Sequence, residues 1–104
     1  MTKPFLALAA EVLEERKRQH KKWGDQSHLK DGTDHHAYHR RASVMQHLND
    51  SKMRDGLALT FLEILEEEVL EVFAEEDPKR LRTELIQVAA VALQWVEAID
   101  KRGE

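Results

Sequence analysis

Eight carboxylates crowd the stretch "TFLEILEEEVLEVFAEEDP", from Thr60 to Pro78: Glu63, Glu66, Glu67, Glu68, Glu71, Glu75, Glu76 and Asp77. No base lies among them. Such a run is an ordinary solvated helix face unless some of its members stand where water is scarce. Carboxylates gathered at such a place hold a hard cation.

A helical wheel at 100° per residue separates the two cases. Phe61, Leu62, Leu65, Val69, Val72 and Phe73 gather on one side. Glu63 and Glu67 fall opposite and read as the solvated face. Glu68 does not fit that face, because Ile64, Leu65 and Val72 surround it at helical spacing. An ionised carboxylate at the apolar edge is costly without a compensating partner. Glu71 sits one turn on, crowded by Glu67, Glu68 and Glu75, and repulsion of that kind raises proton affinity unless a cation intervenes.

Only "EEDP" separates this helix from the next, so the two are expected as antiparallel neighbours. Counted from Asp77 at 1.5 Å per residue, Glu71 and Glu84 lie roughly 9 and 10 Å from the turn, and Glu68 and Gln87 roughly 14 and 15 Å. Glu71 therefore faces Glu84, and Glu68 faces Gln87, on adjacent rungs. Three carboxylates and an amide oxygen, with no Cys or His, form a donor set for Mg²⁺ or Mn²⁺.

At these residues the chain resembles the MazG-like, all-α NTP pyrophosphohydrolases. Their EExxE pattern is matched by Glu67-Glu68-Val69-Leu70-Glu71, and the first residue of their ExxD pattern by Glu84. Gln87 stands where the family has Asp. The apolar run "VAAVALQWVEAI" and the segment "EERKRQHKKWGDQSH" are also similar to small bacterial and phage members. The resemblance implies an all-α, four-helix MazG-like bundle completed by dimerisation, as a homodimer or homotetramer, in one domain covering residues 1–104. It implies Mg²⁺-dependent cleavage of a nucleoside triphosphate to the monophosphate and pyrophosphate. Under it Glu68, Glu71, Glu84 and Gln87 become the metal ligands, and Glu67 an outer ligand or the group that orients the attacking water. Arg16 and Lys22, with Arg82, become candidates for phosphate charge. Trp23 would stack on the base while Gln19 or Gln26 reads its edge. The departure at Gln87 leaves a second reading open: a catalytically weakened relative that only binds nucleotide or associates through its helices.

The elements that must position these residues are legible as four helices. The first is expected from about Pro4 to Trp23, with Phe5, Ala9, Val12, Arg16, Gln19 and Trp23 on one inward stripe. Trp23 at the end of that stripe is equally a core residue. "WGDQSHLKDGTD" is turn chemistry. A second helix is expected from about Asp34 to Leu48, ended by "NDSKMRDG". A third is expected from about Leu57 to Glu76. The fourth starts at a capping Asp77 with Pro78 in its first turn and stops near Lys101 and Gly103. Its middle, "LIQVAAVALQWV", is apolar nearly all round, which calls for a partner chain.

The charge is uneven. Residues 1–56 carry 11 Lys and Arg against 8 Asp and Glu, and all six histidines, whereas residues 57–104 carry 5 against 12. A net acidic chain with scattered bases is a poor nucleic-acid binder. The longest apolar run, Val88 to Leu93, is far too short for a membrane span. The chain start reads as a helix rather than a signal peptide, so a cytoplasmic location is expected. The absence of cysteine excludes disulfides and thiolate chemistry. "HHAYH" offers His35 and His39 as half of a transition-metal site, without the Glu of a zinc protease motif. No Glu has a His three residues on, which excludes the di-iron carboxylate pattern.

Overall fold

A computed structural model describes residues 2–103, apart from the side chains of residues 2–4 and of His35. Among the described residues there are four helices and no strand: α1 (Thr2–Trp23), α2 (His35–Arg54), α3 (Phe61–Ala74) and α4 (Pro78–Lys101). None is long and apolar enough to cross a membrane. The chain forms two compact units. One holds residues 1–31 and 96–104, the other residues 32–95.

In the second unit α2 packs along α3. Asp34 caps α2, its carboxylate accepting from the backbone N–H groups of His36 and Ala37. The N–H of Asp34 donates to the carbonyl of Phe73 at 3.1 Å, and Tyr38 meets the Phe73 ring edge-on at 5.0 Å between centroids. The start of α2 thus lies against the end of α3. At the opposite end Lys52 pairs with Glu63. These contacts make the two helices antiparallel.

α2 runs six residues past the expected stop at Leu48. The segment "NDSKMRDG" is poor helix sequence in isolation, but Asn49 is buried against α3 and Lys52 is paired to it, and this packing overrides local propensity. Gly56 then ends the helix at φ +73, with its N–H donating to the Met53 carbonyl and that of Leu57 to the Lys52 carbonyl. Such a left-handed C-terminal cap suits glycine, which has no Cβ to clash.

α3 begins later than expected, at Phe61. Thr60 Oγ1 accepts from the Glu63 N–H at 3.2 Å, and the Glu63 carboxylate accepts from the Thr60 N–H at 2.9 Å. This reciprocal capping box fixes the first turn and leaves Leu57, Ala58 and Leu59 outside the helix. The start of α4 is as expected: Asp77 Oδ2 accepts from the Arg80 N–H at 3.0 Å, with Pro78 in the first turn. α3 and α4 are joined by Glu75, Glu76 and Asp77 alone. Near their far ends, Phe61 stacks on Trp95 at 5.7 Å between ring centroids. These two helices are antiparallel as well.

In the first unit Leu8 is buried and Ala9 half-buried, but Phe5, Val12, Arg16 and Trp23 are exposed. The inward stripe expected on α1 is thus mostly uncovered within the chain. Leu8, the buried residue of α1, lies off the expected stripe, because spacing alone does not specify which side of a helix is covered.

Candidate functional site

The short α3–α4 connection brings the C-terminal turns of α3 against the first turns of α4, with α2 alongside. A cleft of roughly 420 Å³ opens there, lined on its acidic side by Glu71, Glu75, Glu76 and Glu84. His39, Ser43 and Gln46 of α2 and Arg80 of α4 complete the polar lining. All of these residues belong to the second unit.

The carboxylates influence one another in a chain. Burial raises the proton affinity of Glu68, and the charge of Glu67 adds to the effect. Burial does the same at Glu71, with Glu68 and then Glu67 adding. Glu84 is pushed up to about 7, by burial first, then by the charge of Glu75 and a hydrogen bond with it, and by Glu71, against a smaller opposing pull from Arg80. The Glu75–Glu84 hydrogen bond exists only while one of the two carboxyls carries a proton. Glu68 Oε2 and Glu84 Oε2 are buried with no donor in reach. Buried acceptors in that condition cost free energy until a proton or a cation reaches them.

The sequence expectations meet this geometry unevenly. Glu71 and Glu84 share the cleft, on facing helices. Glu68 is half-buried, as its apolar neighbours on the wheel require, but lies outside the cleft lining. Gln87 is exposed and does not line the cleft; Glu75 occupies the place beside Glu84 that a fourth acidic group would take. Glu75 follows Glu71 by one helical turn, so its spacing was visible, but it belongs to the linker, where register counting ends. Among the described residues no three carboxylate or imidazole side chains stand together closely enough to enclose an ion.

The wheel misplaced Glu63 and Glu67. Neither is fully solvated, because α2 covers that side of α3. Lys52 and Thr60 take both oxygens of Glu63 and hold its carboxyl down at about 2, with the Lys52 hydrogen bond the main cause. Asn49 Nδ2 donates to Glu67 Oε1 at 2.8 Å. Nothing in an isolated helix pattern signals either contact.

Arg16, Gln19, Lys22 and Trp23 all belong to the first unit. Arg16 Nη1 donates to Gln19 Oε1 at 3.1 Å, and Gln19 is half-buried. Trp23 is 53% exposed, with the Lys22 ammonium 5.0 Å from its ring centroid. Trp23 is therefore not a core residue of this chain. His39 lines the cleft, while the side chain of His35, the other half of the i, i+4 histidine pair, lies outside the described residues. No family model matches the chain, and neither a curated protein nor a solved structure matches it.

Proposed function

We propose that the chain is a Mg²⁺-dependent nucleoside triphosphate pyrophosphohydrolase that works as a homo-oligomer with MazG-like helical architecture. The observation that carries this reading is the set of mutually repelling carboxylates Glu68, Glu71, Glu75 and Glu84, two of which bear buried oxygens without a donor. The donors are carboxylate oxygens, the kind a hard divalent cation takes, but among the described residues no three of them stand close enough to enclose one. Arg80 pulls Glu84 the other way and is outweighed by burial and by its acidic neighbours.

Glu68, Glu71 and Glu84 would hold the ion, with Glu75 in the part the sequence assigned to Gln87. A bound divalent cation offsets triphosphate charge and makes a water more acidic. Glu67, oriented by α2, accepts a hydrogen bond from the attacking water and takes its proton. Arg80 and His39, at the rim of the acidic cleft, offer donors to an anionic group. The products are the nucleoside monophosphate and pyrophosphate.

The weakened-relative reading keeps one observation in its favour: Gln87 contributes no charge and is exposed. One experiment separates the two. Pyrophosphate release is measured over a panel of ribo- and deoxynucleoside triphosphates with Mg²⁺ or Mn²⁺, alongside melting with and without the ion. Hydrolysis predicts monophosphate and pyrophosphate in equal amounts. Binding of the ion to the folded state alone also raises the melting temperature, by about 2.7 kcal/mol of stabilisation at a hundredfold excess over Kd. A melting shift with nucleotide but no pyrophosphate would leave the nucleotide-binding reading. Divalent ions acting no better than sodium at matched ionic strength would retire the metal site.

A further inference from the structure

Asn49 is only 2% exposed, the most buried polar side chain among the described residues. Its Nδ2 donates twice to α3: to the Glu63 carbonyl at 3.1 Å and to Glu67 Oε1 at 2.8 Å. Both partners are acceptors, so the amide has one admissible orientation. The reversed amide would set Oδ1 against a carbonyl and a carboxylate. In the orientation adopted, Oδ1 is buried without a partner. An amide placed here to join two helices would be a poor choice, since an apolar side chain fills such a space without orphaning an acceptor.

The neighbouring carboxylate is treated differently. Glu63, one turn earlier, is neutralised by the Lys52 ammonium and occupied by Thr60. Glu67 receives from α2 a neutral donor on one oxygen. It is oriented by that one bond, and Oε2 is left unengaged by Asn49. The carbonyl of Glu63 anchors the amide on rigid helix backbone, so the second N–H points at a fixed place, and Glu67 Oε1 is held there.

We propose that Asn49 is a positioning residue: it fixes the Glu67 carboxylate so that Oε2 is presented in a constant direction. The use of that oxygen, to orient the attacking water, rests on the hydrolase reading. Asn49 touches neither water nor nucleotide and acts only through Glu67. Residues that orient a functional side chain through one hydrogen bond commonly change activity by about ten- to hundredfold.

The test uses Asn49→Leu, which fills the space and removes the donor, and Asn49→Asp, which keeps the shape and replaces the donor with an acceptor. Either variant should lower kcat about ten- to hundredfold with KM within about twofold. In a Glu67→Gln background Asn49→Leu should cause no further fall. In the metal-free protein Asn49→Leu should move the side-chain ¹³Cδ resonance of Glu67. If Asn49→Leu does not fold, Asn49→Asp carries the same kinetic comparison. An unchanged kcat in a folded variant, an unmoved Glu67 resonance, or a loss that persists undiminished beside Glu67→Gln each overturns the proposal. A wild-type protein that releases no pyrophosphate overturns the hydrolase reading instead; the Glu67 resonance then decides the role of Asn49 alone.

Discussion

Glu84 is a cleft carboxyl whose proton affinity is raised strongly by burial and by its acidic neighbours. Its carboxyl is held up at about 7, against an ordinary value of 4.5, by burial, by Glu75 and by Glu71. The folded state therefore binds the proton more tightly than the unfolded chain does. The stabilisation this gives is complete below pH about 4.5 and is lost as pH rises through about 7. Glu68 and Glu71 are raised too and act in the same direction. Glu63 has the opposite sign, but its contribution is lost only as pH falls through about 2, outside this window. The metal-free protein should thus melt higher at pH 5.5 than at pH 8, and Glu84→Gln should shrink that difference. A difference unaltered by Glu84→Gln would mean that the cleft carboxylates do not set the pH dependence. The unusual standing of Glu68 and Glu71 was readable from their neighbours on the wheel. The main cause is burial rather than repulsion, and burial depends on the covering helices, which the wheel does not include. Asn49 carried no signal at all, because its two partners are 14 and 18 residues away.

At the level of the helices, boundaries were legible where a local device sets them and illegible where packing does. Asp77 and Pro78 fix the start of α4, and both act within four residues. Thr60 and Glu63 form an equally local device, yet the apolar residues Leu57 and Leu59 upstream extended the pattern and hid the true start of α3. The end of α2 is the opposite case: burial of Asn49 and pairing of Lys52 carry the helix through residues that favour turns. The capping box makes a direct prediction. Thr60→Ala removes the hydroxyl that receives the Glu63 N–H and should cost about 1 kcal/mol in chemical denaturation, within the usual range of about 0.5–2. Thr60→Ser should restore most of it. A loss from both variants alike would point to the Thr60 methyl group rather than to the cap.

Over the whole molecule, the buried apolar residues among those described are few: Leu8, Ala42, Val72 and Leu81. Large apolar side chains stay in contact with solvent instead. On α4 these include Leu85, 49% exposed, Ile86, 57%, and Val96, 40%; on α1 they include Val12 and Leu13. Leu85 and Ile86 lie in the segment whose all-round apolar pattern called for a partner chain. Exposed apolar patches are where protein partners commonly dock; on the homo-oligomer reading proposed above, a second copy of the chain would cover Leu85 and Ile86. Association of that kind links folding to assembly, so the melting temperature should rise with protein concentration. On that reading, Ile86→Glu would place a charge in the shared face. It should lower the mass seen by light scattering and remove the concentration dependence, while the helical circular-dichroism signal persists. A wild-type monomer at micromolar concentration, with a melting temperature independent of dilution, would retire the oligomer. The chain would then have to hold its helices together with the small core it buries by itself.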